Sequence, residues 1–175
     1  MKISFSSDGK GFKRSDMKTT GKLAEDFFGT QKDSEQIQVN QENMDWIFKN
    51  TKDCLNVVRD GEEIIGFSLI IPSNHKILDD FVSNKINERE MFERTKNLNI
   101  YRDVDALYLA SAFIKEKYRG KGFSQQAQTK VIQKVSRMIG KKPVLYFWGY
   151  SEKGKKSCLA VAKTLGLNIK ERLVN

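Results

Sequence analysis

Between Asp105 and Gly140 the chain passes from an apolar run, through a basic turn holding two glycines, into apolar residues at helical spacing. Asp105 to Ile114 reads as a strand. Ser124 to Ile139 puts Ala127, Val131, Val135, Met138 and Ile139 on one helical face, and Gly140 ends it. The junction is Arg119-Gly-Lys-Gly122. Two glycines let the backbone curl so that successive N–H groups converge on one spot. A helix N-terminus adds free amides and about half a positive charge, and Arg119 and Lys121 add full charges. On the residues alone this is either a pyrophosphate cradle or a plain strand-to-helix connection.

The rest of the chain supplies elements for one mixed sheet. Met1 to Phe5 suggests a first strand, and Asp8 to Lys13 a turn. Ser15 or Asp16 offers a cap for a helix carrying Leu23, Ala24, Phe27 and Phe28, closed by Gly29. Asn40 offers a cap for a second helix, with Met44, Ile47 and Phe48 on one stripe. Leu55–Val58 and Ile64–Ile71 flank Asp60-Gly61 as a hairpin, with Pro72 stopping the second strand. Residues 74–100 are polar, with helical stripes Leu78, Phe81, Val82 and Met91, Phe92, Thr95, so a helical excursion interrupts the sheet there. Pro143–Trp148 is a strand, Lys155–Leu165 a helix with Cys158, Ala162 and Leu165 inward, and Ile169–Val174 a last strand. The class is α+β, that is mixed α/β.

A chain of 175 residues with 39% hydrophobic residues makes one domain with a real core, and 2 Pro and 12 Gly exclude fibrous and low-complexity classes. Two cysteines, Cys54 and Cys158, and one histidine, His75, leave no metal-ligand spacing and count against a Ser-His or Cys-His triad. The longest apolar stretch, Ile64 to Ile71, is broken by Gly66 and Ser68 and falls far short of the ~18–20 residues of a membrane span. Met1 to Asp8 lacks the apolar core of a signal peptide. The expectation is a soluble, cytoplasmic protein with no membrane partner.

Charge is unevenly spread. From Lys115 onward there are 15 Lys and Arg against three acids, net +12, while residues 1–114 carry net −3. A basic final third suits a polyanion, either nucleic acid or a phosphorylated cofactor, or else is a solvated basic surface. The acidic body suits a cationic acceptor.

Tyr118-Arg-Gly-Lys-Gly-Phe-Ser124 resembles the Q/R-x-x-G-x-G/A signature of the GNAT superfamily of N-acyltransferases, with Arg119 in its first position and Gly122 as the central glycine. The likeness is tight over about 108–139 and looser over the hairpin, the strand at 143–148 and the helix ending in Leu165-Gly166. It implies a central mixed, mostly antiparallel sheet flanked by helices and splayed between its fourth and fifth strands. It also implies transfer of an acyl group from acetyl-CoA, as co-substrate, to a primary amine of a small molecule or peptide. Arg119, Gly120, Lys121, Gly122, Phe123 and Ser124 would hold the pyrophosphate, and Phe113, Ile114 and Lys115 the pantetheine arm. A homodimer is compatible with it. The segment 74–100 falls where that family varies its acceptor site.

The usual acid/base positions differ. Ala110 and Ser111 stand where many such proteins carry an acid, and Lys155 and Ala162 stand where many carry Asn and Tyr. Ser111 and Tyr150 are therefore the candidate catalytic groups, Tyr150 as an acid for the departing thiolate. Gly149 to Lys156 nearly spells a P-loop but has Lys156 at the Ser/Thr position. Its lysines, Lys155 first, suit a cofactor phosphate instead. Cys158, Tyr108, Tyr146, Phe147 and Trp148 read as core, and Asp105 and His75 as exposed. The alternative functions are a basic nucleic-acid-binding module, which is disfavoured, and a CoA-binding domain without turnover.

Overall fold

The computed structural model describes residues 2–9 and 12–173, apart from the side chain of residue 52. Six strands lie side by side in chain order: β1 (Ile3–Phe5), β2 (Leu55–Asp60), β3 (Glu63–Ser73), β4 (Ala106–Ile114), β5 (Val144–Trp148) and β6 (Ile169–Arg172). The first four pair antiparallel, and β4–β5 and β5–β6 pair parallel. Six helices accompany them among the described residues: α1 (Arg14–Phe28), α2 (Gln41–Thr51), α3 (His75–Val82), α4 (Glu88–Thr95), α5 (Phe123–Ile139) and α6 (Glu152–Leu165). The result is a mixed, mostly antiparallel α+β fold. Met1, the middle of the turn at 8–13, and Val174 lie outside the described residues.

The pleat sends alternate side chains to opposite faces, and each face has its own helical cover. On one face Phe67, Ile71, Tyr108 and Tyr146 meet Met17 of α1, Ile47 of α2, Leu78 and Phe81 of α3, and Met91 and Phe92 of α4. Phe81, Tyr108 and Tyr146 stack with ring centroids 5.1–5.8 Å apart, each contact adding about 0.5–1.5 kcal/mol beyond area burial. On the other face Ile70, Leu107, Leu109, Leu145 and Phe147 meet Val131, Ile132 and Val135 of α5 and Cys158, Val161 and Ala162 of α6. The excursion at 74–100 is thus α3 and α4, closing the first face. Their starts are capped by Asn74, whose Oδ1 accepts from the Ile77 amide, and Asn87, whose Oδ1 accepts from the Glu90 amide.

Several boundaries differ from expectation. α1 begins at Arg14, after Lys13; Asp16 is buried, accepts from the Lys13 amide at 2.8 Å and ion-pairs Arg59 of β2 at 2.6 Å, which pins α1 to the sheet. Pro72 does not stop β3. It lies beyond Leu69, the last residue that pairs with β2, where β3 is an edge on that side and tolerates proline. Met138 and Leu165 are only half-buried. Asn40 does cap α2, accepting from the Asn43 amide at 2.8 Å.

Two buried contacts set how closely the layers approach. Asn56 of β2 has no exposed surface; its Oδ1 accepts from Ser6 Oγ and the Ser7 amide, and its Nδ2 donates to Ser7 Oγ and to the Ala127 carbonyl of α5. Gly66 of β3 pairs with Ile114. A Cβ built there would sit 2.5 Å from Ile114 Cδ1 and closer still to the Phe113 carbonyl oxygen. Gly66→Ala should therefore destabilise the fold by about 1–3 kcal/mol, read as a lower urea midpoint. An unchanged midpoint would show that β3 can step aside there.

Candidate functional site

β4 changes its facing halfway along. Its register against β3 runs Ile70↔Leu109 and then Leu69↔Ser111, so Ala110 is an extra residue, a β-bulge. Before the bulge Ala106, Tyr108 and Ala110 face the α1–α4 side; after it Phe113 does, and Ile114 turns to the other side. Ala110 and Ser111 consequently border the same cavity. β4 pairs with β5 only through Ala106↔Val144, Leu107↔Leu145 and Tyr108↔Tyr146. From Leu109 to Ile114 the side of β4 away from β3 makes no ladder bond to β5. A bulge bends and twists its strand, and β5 has only Phe147 and Trp148 left beyond Tyr146, so the pairing of the two strands ends here.

β4 runs into a short turn, Glu116–Tyr118, and then the glycine turn before α5. Gly120 and Gly122 have φ of +77° and +74°, a region that disfavours residues with a Cβ. The amides of Gly120, Gly122, Phe123 and Ser124 meet no acceptor among the described residues, and the first helical bond comes from Gln126 to the Gly122 carbonyl. Side chains around the turn are already engaged. Arg119 Nε donates to the Ile114 carbonyl at 2.9 Å, and its guanidinium lies over the rings of Phe27 and Phe113. The Phe123 side chain is buried with Phe5, Val58, Ile65 and Tyr118. Gly122 precedes α5 without a side-chain cap, so Ser124 lies inside the first turn and does not cap the helix.

Beside the bulge lies a cavity of about 130 Å³ between α1, α2, the 30–39 loop and the sheet. Its walls are largely apolar, and Ser111, Trp148 and Tyr150 border it. Glu88, the first residue of α4, also lines it. Glu88 is 8% exposed. One carboxylate oxygen accepts from Tyr108 Oη at 2.5 Å and the other from the Ile37 amide at 3.0 Å. Burial pushes the Glu88 carboxyl above the usual range, while the Tyr108 and Ile37 hydrogen bonds pull it back only in part. Burial and the adjacent carboxylate hold the Tyr108 phenol well above its ordinary value, so it stays protonated and donates.

The structure brings Ser111 and Tyr150 to this cavity, with Tyr150 65% exposed and its ring against Phe28. Phe113, Ile114 and the turn residues lie on the unpaired part of β4 and beyond it. Lys115 is tied to β3: its amide donates to the Ile65 carbonyl at 2.8 Å and its ammonium to Glu63. Lys155 is likewise held, 2.7 Å from Glu171 of β6. The near P-loop is the start of α6, where Ser151 Oγ accepts from the Gly154 amide. His75 is the first residue of α3 and its Nδ1 lies 2.9 Å from Asp105. Burial raises the thiols of Cys54 and Cys158 to about 12, which makes both poor nucleophiles.

Sequence reasoning missed Glu88 and the role of Tyr108. The Asn87-x-x-Glu90 capping box marks where α4 starts, but nothing in the order of residues says that its first turn ends against β4. The basic excess is also partly met by the acidic body: Lys130 pairs with Asp8, Lys134 with Asp53, and Lys170 with Asp79. Among the described residues no helix is long and apolar enough to cross a membrane, and no group of three metal-ligating side chains gathers. In comparison with known proteins, no family model matches this chain and no curated protein matches it.

Proposed function

We propose that the protein is an N-acyltransferase of GNAT type that moves an acetyl group from acetyl-CoA to a primary amine. The observation that carries this reading is the parting of β4 and β5 after Tyr108↔Tyr146, next to a turn that opens unbonded amides at the start of α5. Backbone groups of Leu109 to Ile114 suit the amides of a pantetheine arm, and the amides of Gly120, Gly122, Phe123 and Ser124 suit a pyrophosphate. Arg119 braces that turn through the Ile114 carbonyl and leaves phosphate binding chiefly to the backbone.

Acetyl-CoA supplies an acyl thioester: an acceptor bound as its ammonium first gives one proton to the base, which passes it to water; the neutral nitrogen then forms the new C–N bond as the C–S bond breaks, the nitrogen loses a second proton and the sulfur gains one. Glu88, oriented by Tyr108 and the Ile37 amide, is the base that takes the proton from nitrogen. Its raised pKa brings it closer to working pH than an ordinary carboxylate, which favours proton acceptance. Tyr150, at the cavity mouth, is the acid for sulfur. Ser111 lines the same cavity and offers its hydroxyl to the bound nitrogen.

Gly122→Val should abolish acetyl-CoA binding in calorimetric titration while circular dichroism shows an intact fold. A Cβ there would find its nearest neighbour, Gln126 Nε2, at 3.8 Å, so the damage comes from a β-branched residue forced to φ of +74° and from methyl groups over the amides. A folded variant that binds as tightly as the parent would remove the pyrophosphate from this turn.

Glu88→Gln preserves shape, and its amide can accept from Ile37 and donate to Tyr108. Its rate of CoA release should fall about 10²–10⁴-fold, the range of a positioned base. The parent's rate should fall with decreasing pH through a pKa above that of an ordinary carboxylate. The stability linkage has the opposite sense. Folding favours the protonated acid, so this contribution is fully present below the unfolded pKa and is lost as pH rises through the folded one. Glu88→Gln should remove that loss from a pH series of urea midpoints. A variant with parental rate and pH profile would exclude Glu88 as the base.

A further inference from the structure

We infer that the acceptor is a small apolar primary amine, alkyl or aralkyl, whose body fills the cavity between α1, α2 and the sheet and whose ammonium meets Glu88. This rests on the acyltransferase reading for the fate of the amine, and on the cavity itself for its chemistry.

Size comes first. Apolar cavities of about 150 Å³ take up a molecule such as benzene, and this one measures about 130 Å³. A single ring or a short branched chain fills it; a peptide, an aminoglycoside or a long polyamine could place only one end inside.

Polarity comes next. Met17, Ala24, Val39, Met44, Ile47 and Leu69 give the walls their apolar character. The polar side chains that border the cavity mostly spend their hydrogen bonds on the protein. Thr20 Oγ donates to the Asp16 and Met17 carbonyls. Thr30 Oγ donates to Glu25 at 2.6 Å, and Gln36 Nε2 to Asp33 at 3.0 Å. Gln38 Nε2 donates to three carbonyls, those of Thr30, Asp33 and Gln36. Asn43 Nδ2 donates to the Gln38 carbonyl, and its Oδ1 accepts from Lys96. An acceptor rich in hydroxyls or bearing a second ammonium would give up water here and find few partners, a net loss.

Charge decides the remaining choice. Glu88 is the one charged side chain on the lining. Tyr108 and Ile37 each occupy one lone pair of its two oxygens, which leaves each oxygen able to accept again. Arg172 and Asp33, off the lining, also act on Glu88; toward the cavity the carboxylate faces largely apolar walls and suits one cation attached to an apolar body. It also penalises the other apolar occupant, the chain of a longer acyl group.

The test uses the whole chain and calorimetry with benzylamine, benzyl alcohol, 1,4-diaminobutane and spermidine, without acyl-CoA. Benzylamine should bind at least tenfold tighter than each of the other three. Glu88→Gln and the cavity-filling Ala24→Leu should each weaken benzylamine at least tenfold. With acetyl-CoA present, benzylamine should raise CoA release and yield N-acetylbenzylamine. Polyamines that bind as tightly as benzylamine, or benzylamine binding untouched by both variants, would overturn the inference. So would octanoyl-CoA binding tenfold tighter than acetyl-CoA with that advantage lost in Ala24→Leu, because the acyl chain would then own the cavity. The two readings fail separately. Acetyl-CoA binding without benzylamine binding sinks this inference and leaves the acyltransferase; benzylamine binding without acetyl-CoA binding sinks the acyltransferase and leaves the cavity as an amine site with no acyl transfer.

Discussion

One extra residue in β4 governs the middle of this molecule. Without Ala110 as a bulge, β4 would keep a single parity along its length, and Leu109 and its neighbour could continue the ladder with Phe147 and Trp148, the last two residues of β5. The bulge does two things together. It gives two consecutive small residues, Ala110 and Ser111, the same facing, and it parts two strands that began as neighbours. Backbone that would otherwise be consumed in a ladder is left over, and unpaired backbone in a half-buried place demands another partner. Gly66 on β3 supports the arrangement from behind, because its missing side chain lets the bent part of β4 press against it.

Glu88 shows how the helical insertion and the sheet depend on each other. Its carboxylate joins three pieces distant in sequence: the first turn of α4, the loop at Ile37, and Tyr108 on β4. Burying a carboxylate costs free energy that two hydrogen bonds do not fully return. Apolar packing of α3 and α4 offsets that cost, with Leu78, Phe81, Met91 and Phe92 almost wholly enclosed. Local instability at a polar group inside a well-packed layer is the pattern expected of a site shaped for chemistry.

Legibility in the sequence followed the range of the interactions. α5 was readable because its apolar residues recur at helical spacing, and the hairpin because Asp60-Gly61 stands between two β-branched runs. The turn at 119–122 was readable because two glycines and two cations sit within four residues. The bulge was not, since Leu109-Ala-Ser111 looks like any other part of an apolar strand and the shift exists only in the pairing with Leu69 and Ile70. Glu88 was hidden for the same reason: in a polar, helical stretch nothing local separates it from Glu90 or Glu93, and tertiary packing alone selects it. The pairing of Lys115 with Glu63 and of Lys155 with Glu171 could not be read from the sequence either, because the partners lie far along the chain and meet only through the sheet.

Cys54 lies under α5 with 2% exposure, and Cys158 packs on the inner side of α6 with 9%. Both belong to the layer between the sheet and these two helices, on the face opposite the cavity. Alkylating reagents attack the thiolate and need access to sulfur, and the folded chain denies them both. The pair therefore serves as an internal clock: adduct mass accumulates only as fast as that layer opens. Timed labelling read by mass spectrometry gives the opening rate of the α5–α6 side without adding a probe, and a ligand seated on the far face slows it only if the two layers separate as one cooperative unit.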